Sequence, residues 1–181
     1  MAPLTVAVTG GIGAGKSAAL AAFARRGVPT LSSDDVVHRL IGEDPEVRAE
    51  LAERLGTTDR AEIAAVVFAE PEQLAWLEAL LHPRVRREQE AWLESLDAGV
   101  AVVEIPLLFE VGGEDRFDAV VVLTAPDGVR EGRTGRARDA REARLIPDAE
   151  KVRRADFAYV NDGTLDDLDA FVGRVLDRLA G

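Results

Sequence analysis

The stretch Gly10-Gly11-Ile12-Gly13-Ala14-Gly15-Lys16-Ser17 decides the fold. An apolar alternating run, Leu4-Thr5-Val6-Ala7-Val8-Thr9, leads into it, and helix-forming residues from Ala18 to Arg26 lead out. Strand, glycine-rich turn, Lys-Ser and helix stand in the order a phosphate-binding P-loop requires. Glycines let backbone N–H groups turn inward around phosphate oxygens, where a Cβ would obstruct. The helix starting near Gly15 aims unpaired N–H groups and its positive dipole end at the same anion. Lys16 supplies a mobile full charge for the β- and γ-phosphates, and the Ser17 hydroxyl can ligate Mg²⁺. A glycine turn with a chance Lys-Ser is the plain alternative, and the correctly placed strand and helix weigh against it. A dinucleotide-binding turn is the other competitor, because Gly13 to Ala18 loosely reads G-x-G-x-x-A. In that turn Lys16 has no role, and no acidic strand end stands at the distance a ribose needs.

The chain around this stretch has 181 residues, enough for one α/β domain with a small insertion. It has no cysteine, which excludes disulfides, zinc thiolates and thiol nucleophiles. The apolar N-terminal run is too short for a signal or membrane helix, so a cytoplasmic protein is expected. A formal charge of −11 argues against a nucleic-acid-binding surface. An acidic protein that binds phosphates must concentrate positive charge locally, so places where arginines cluster are informative.

Taken in order, Gly27 to Leu31 reads as a turn and a short second strand. Ser32-Ser33-Asp34-Asp35 follows, then a helix from Val36 to Ile41, and after Gly42-Glu43-Asp44-Pro45 another from Glu46 to Leu55. From Arg60 to Leu96 the pattern is almost wholly helical, with Pro71 and Pro83 as breaks. Trp76 and Trp92 sit at helical spacing and read as packing residues. The region is too long for a crossover helix and reads as an insertion. Val100 to Ile105, Ala119 to Thr124 and Phe157 to Val160 are the third, fourth and fifth strands, and Leu165 to Leu179 a closing amphipathic helix. Strands alternating with helices indicate an α/β fold with a five-stranded parallel sheet in three layers.

Open parallel sheets place ligands at strand C-terminal ends. Asp34, after the second strand, is positioned to accept a hydrogen bond from an attacking hydroxyl, although Ser33 or Asp34 can equally cap the next helix. Glu104, inside a Val-rich strand, needs a partner: Mg²⁺ through water, or an arginine. Glu110 is a second candidate. Arg130, Arg133, Arg136, Arg138, Arg141 and Arg144 form a cluster suited to phosphate and to a closing lid, or else a solvated helix face. His82 before Pro83 reads as structural, and His38 lies near Asp34. With no cluster of His or Cys, a protein-held transition metal is not expected.

Gly10 to Ser17, Ser33-Asp34, Leu80-Leu81-His82-Pro83, Pro106-Leu107-Leu108-Phe109-Glu110 and Ala155-Asp156 with Asn161 and Gly163 together resemble the dephospho-CoA kinase family in order and spacing. Arg60, Phe68 and Pro71 also fall at matching positions. The resemblance implies ATP-dependent phosphorylation of the ribose 3′-hydroxyl of dephospho-CoA, giving CoA and ADP. It implies a P-loop kinase core over residues 1–44 and 98–181, a short lid at about 128–150, and a helical acceptor-binding insertion over 45–97. It carries Asp34 as the group engaging the attacking hydroxyl, with Lys16, Arg136 and Arg141 as further catalytic residues. Gly11, Ile12, Gly13, Ala14, Gly15, Lys16, Ser17, Ala18 and Asn161 fall on the ATP-binding positions, and Ser17 on the Mg²⁺ position. Asp34, His82, Pro106 and Leu107 fall on the acceptor side. Lys151 fits a basic position before Ala155-Asp156. Three positions depart from the family pattern: Ser32 replaces an aspartate, Ala18 a threonine and Leu145 a lid glutamine. A monomer with small-molecule substrates and no nucleic-acid or membrane partner is expected. The residues alone leave two other readings open, a different small-molecule kinase and a non-catalytic P-loop switch. No Asn-Lys-x-Asp stretch for guanine is present.

Overall fold

The computed structural model describes residues 3–97, 99–134 and 145–181. Five strands are present: β1 (Leu4–Gly10), β2 (Thr30–Ser32), β3 (Val100–Glu104), β4 (Ala119–Thr124) and β5 (Phe157–Val160). Eight α-helices stand among the described residues: α1 (Lys16–Arg25), α2 (Ser33–Glu43), α3 (Pro45–Leu55), α4 (Arg60–Ala69), α5 (Pro71–Glu94), α6 (Asp127–Thr134), α7 (Asp148–Arg154) and α8 (Leu165–Ala180). The chain divides into two compact units, one of residues up to Ser32 and from Leu96 onward, the other Ser33–Ser95.

The first unit is built on a parallel sheet of order β2-β3-β1-β4-β5. The near-continuous apolar runs of β1, β3 and β4 suit strands covered on both faces, and most of their residues are buried. On one face Val6, Val8, Val121 and Leu123 pack with Phe23 of α1 and Leu168, Phe171 and Val172 of α8. On the other, Ala7, Val120 and Val122 pack with Leu108 and Phe109, and with Ile146 and Ala155 flanking α7. Tyr159 stacks on Phe171 with ring centroids 4.7 Å apart. Because β1 lies between β3 and β4, its C-terminal end is where connections diverge to the two sides, the usual ligand position in such sheets.

The second unit is wholly helical. Asp44 caps α3, accepting from the N–H groups of Glu46 and Val47, and Asp59 caps α4 in the same way. Gly56, at φ 73°, ends α3 in a left-handed conformation that favours glycine. Two expectations are corrected here. First, α2 begins at Ser33, not Val36, so Ser33 and Asp34 lie in its first turn and do not cap it. The buried Ser33 hydroxyl accepts a hydrogen bond of 2.9 Å from the buried Gln89 amide of α5, which fixes that turn. Through this bond α2 joins the helical unit, which starts earlier than residue 45. Second, Pro83 does not break the long helix, and α5 runs through it. Proline has no N–H to offer the preceding turn. There Arg84 Nη1 donates to the Leu80 carbonyl at 2.9 Å, while Nη2 pairs with Glu50 at 3.1 Å. Trp76 and Trp92 are partly buried on α5, and the Arg54 guanidinium lies 5.8 Å from the Trp76 ring centroid.

Across α1 and α8, Asp169 accepts from Arg25 at 2.9 Å and Arg26 at 2.5 Å. The Arg26 hydrogen bond, then that of Arg25, holds the Asp169 carboxyl down at about 2, against an ordinary 3.8. A depressed carboxylate stabilises the fold above its unfolded pKa, and that contribution fades as pH falls through the folded value. Asp169→Asn is therefore expected to lower the urea midpoint at pH 7, with the gap from wild type closing between about pH 4 and pH 2. An unchanged gap across that window rules out the ion pair as its source.

Candidate active site

The turn after β1 is shaped by glycines that nothing else can replace. Gly10 has φ 151°, and a Cβ there would lie 2.1 Å from the Leu123 carbonyl oxygen of β4. Gly13 and Gly15 also have positive φ, 73° and 99°. A Cβ on Gly15 would lie 2.1 Å from the Asn161 side-chain nitrogen. Gly15 precedes α1, which has no side-chain cap and no acidic residue in its first turn. By contrast α3, α4 and α8 are capped by Asp44, Asp59 and Thr164. An uncapped first turn beside a lysine is a ready anion site. Lys16 Nζ donates to the carbonyls of Gly10 (3.0 Å) and Gly11 (3.1 Å), folded back along the turn. Ser17 and Ile12 are exposed, Gly13 and Ala18 partly so, and Gly11 and Ala14 are buried.

Three residues from distant segments hold this turn. Asn161 follows β5; its side chain donates to the Ala14 carbonyl at 2.9 Å, and its own N–H bonds Thr124 O at 2.7 Å. Arg133 of α6 donates to the carbonyls of Gly13 and Asn161, both at 3.1 Å. Arg130, one turn earlier, is buried with its guanidinium against Gly11; Nε donates to Ala125 O at 2.7 Å and Nη2 pairs with Asp148. Asn161, expected beside the nucleotide, is thus also a brace of the loop. The sequence marked an arginine cluster without singling out Arg130 or Arg133, whose spacing along α6 is the only signal that they share a face. Arg136 and Arg141 lie outside the described residues.

The other candidates are placed as follows. Glu104, 4% exposed, sits beside Val8 and Ser32 in strand register, and its Oε2 accepts from the Ser32 hydroxyl at 3.1 Å. Ser32, where an aspartate was the family expectation, is therefore a donor to a buried carboxylate. Pro106 and Leu107 are partly buried just after β3, and Thr9 Oγ1 donates to Pro106 O at 3.4 Å. Glu110 pairs with Lys151, which is 1% exposed, at 2.7 Å, and the same oxygen accepts from the Ile146 N–H at 3.2 Å. Its other oxygen is buried and has no hydrogen-bond partner among the described residues. Asp156 Oδ2 accepts from the Val120 N–H at 2.7 Å, anchoring the start of β4. In the helical unit Asp34 and His38 are exposed on α2, and His82 is exposed on α5. No group of three or more metal-ligating side chains, and no helix long and apolar enough to cross a membrane, occurs among the described residues.

Comparisons with known proteins place the chain among named relatives. The family model for dephospho-CoA kinase (CoaE) matches residues 4–167. The chain is 39% identical to a dephospho-CoA kinase of Brucella melitensis over 192 aligned positions, covering 98% of this chain and 96% of the relative. A crystal structure of a Thermus thermophilus protein superposes with a TM-score of 0.83 at 36% identity, covering all of both chains. A dephospho-CoA kinase from Campylobacter jejuni (TM-score 0.69, 23% identity, 99% and 98% covered) and a shikimate kinase from Acinetobacter baumannii (0.57, 17%, 98% and 93%) share the fold.

Two substitutions probe the site's supports. Asn161→Ala removes the brace on Ala14 and is expected to weaken ATP binding about tenfold, read as the dissociation constant by calorimetry. Lys151→Met leaves the buried Glu110 unpaired and is expected to cost about 3–5 kcal/mol in chemical denaturation, with a Glu110→Gln/Lys151→Met pair recovering much of it.

Proposed function

The chain belongs to the dephospho-CoA kinase family, an enzyme of the last step of CoA biosynthesis, and on that premise we propose how its residues divide the work between phosphoryl donor and acceptor. The first unit binds ATP: backbone N–H groups from Gly11 to Ala18 and the Lys16 ammonium take the phosphates. Lys16 leaves the two loop carbonyls it now contacts and exchanges them for phosphate oxygens. Arg130 and Arg133 hold the loop in shape and add positive charge beside it, in a protein whose net charge repels the ligand. Arg136 and Arg141 are assigned to the transferring phosphoryl group.

The Ser17 hydroxyl, exposed in the first turn of α1, fits a hard cation that keeps most of its waters, as Mg²⁺ does. When bound, that ion neutralises charge developing on the phosphates. Asn161 lies on the nucleotide side of the same loop and adds a base contact to its bracing role.

The helical unit receives the acceptor, with His82 contacting it; Pro106 and Leu107 of the first unit are also assigned to the acceptor. Asp34 accepts a hydrogen bond from the ribose 3′-hydroxyl and orients its oxygen toward the γ-phosphorus. As the new O–P bond forms, the bond from γ-phosphorus to the bridging oxygen of ADP breaks, and the hydroxyl proton passes late to the Asp34 carboxylate. A ribose hydroxyl is a weak acid, so positioning and charge stabilisation supply most of the rate. The observation that carries this reading is Asp34 itself: exposed in the first turn of α2, with no hydrogen bond or ion pair among the described residues. Its oxygens are thus open to an acceptor hydroxyl. The protein acts as a cytosolic monomer on small molecules, without nucleic acid or membrane.

Asp34→Asn is expected to keep ATP affinity within about twofold and to lower dephospho-CoA-dependent ADP release by at least about 100-fold. Near-normal turnover in that variant removes Asp34 from the mechanism. The same assay run with nucleoside monophosphates, sugars and shikimate tests the acceptor: activity on those alone refutes dephospho-CoA.

A further inference from the structure

The helical unit is strongly acidic, and three of its seven arginines are matched to carboxylates. Arg39 pairs with Glu88 at 2.6 Å, Arg84 with Glu50 at 3.1 Å and Arg86 with Glu90 at 2.9 Å. Arg48 bonds the Gly42 carbonyl and the Thr58 hydroxyl, Arg54 bonds the Gln73 amide, and Arg60, the first residue of α4, meets a histidine. Arg60 is exposed, and its Nη2 meets Nε2 of His38 on α2 at 2.5 Å. It has no carboxylate partner among the described residues. Arginine only donates, so Nε2 of His38 is the acceptor and the ring proton sits on Nδ1. The contact fixes the guanidinium in place without cancelling its charge, and leaves its other N–H groups for a ligand. An exposed guanidinium held by one neutral acceptor, with donors to spare, can take an anion.

The position of His38 gives the anion an identity. Asp34 and His38 are four residues apart on α2 and share one face, a single turn of about 5.4 Å from each other. Carboxylate, imidazole and guanidinium therefore follow one another from α2 to α4. The acceptor presents a matching series: its ribose carries the 3′-hydroxyl and, through the adjacent 5′-carbon, the diphosphate. We propose that Arg60, held by His38, binds the acceptor's diphosphate at the phosphate nearest the ribose and so sets the register in which the 3′-hydroxyl meets Asp34. This rests on the assignment of Asp34 to the acceptor hydroxyl made above. Arg60 is then a binding residue for the acceptor, and His38 a positioning residue that acts through it. The planar guanidinium fork suits two phosphate oxygens at once, which a lysine ammonium does not reproduce.

The test is steady-state kinetics of the full chain with ATP and dephospho-CoA, with adenosine, which lacks the diphosphate, as a competitive inhibitor. Arg60→Ala is expected to raise the KM for dephospho-CoA about 10- to 100-fold, leaving the KM for ATP and the Ki of adenosine within about twofold. Arg60→Lys restores part of the loss. His38→Ala raises the same KM by a smaller factor, and adds nothing in the Arg60→Ala background, because it acts through that side chain. Thermal melting of each variant separates unfolding from lost binding. An acceptor KM unchanged by Arg60→Ala overturns the proposal, as does an equal rise in the KM for ATP and the Ki of adenosine. Wild-type protein that does not phosphorylate dephospho-CoA refutes the function itself, whereas active wild type with an unaffected Arg60→Ala variant refutes only this site.

Discussion

The nucleotide end of the molecule depends on the contact between the Gly10 backbone and the Leu123 carbonyl. No side chain fits there. The contact sets the end of β1 against β4 in the pairing that runs from Val6 opposite Ala119 to Gly10 opposite Leu123. It fixes where the chain leaves the sheet, and therefore where the uncapped first turn of α1 begins. Asn161 and Arg133 then complete the turn from outside, each bonding a carbonyl that the loop cannot satisfy internally. The Ala14 N–H bonds the Gly11 carbonyl; the contacts from Lys16, Arg133 and Asn161 hold the loop by its acceptors.

Much of this fold was legible in the sequence because the signals are local. The run Leu4 to Thr9, the glycines after it, the Val-rich third and fourth strands and the capping aspartates Asp44 and Asp59 each announce themselves within a few residues. The misreadings came where a distant partner decides. Ser33 looks like a cap until Gln89, 56 positions away, supplies the hydrogen bond that draws it into the helix. Pro83 looks like a break, and α5 runs through it, packed along its length in the helical unit by Leu77, Leu80, Leu81 and Val85. Within the site, the glycine loop could be read residue by residue. The roles of Arg130 and Arg133 could not, because six similar arginines in one stretch carry no mark of which ones face the loop.

Charge is distributed by the same logic. A net −11 would disfavour a triphosphate approaching a uniform surface. Cations are therefore placed where the backbone already favours anions, at Lys16 and Arg133, with Arg130 beside them paired to Asp148. Elsewhere glutamates and aspartates neutralise arginines in pairs, as Asp169 does for Arg25 and Arg26.

The buried pair of Lys151 and Glu110 has a chemical consequence. Lysine occurs only twice in this chain, at 16 and 151. One is enclosed almost completely, with its ammonium against a carboxylate. The other is the partly exposed lysine of the phosphate loop. In the folded state, amine-directed acylation thus has a single accessible side-chain target, and it is the group we assign to the ATP phosphates. Labels, cross-linkers and solid supports that attach through lysine will therefore compete with nucleotide instead of decorating the surface at random.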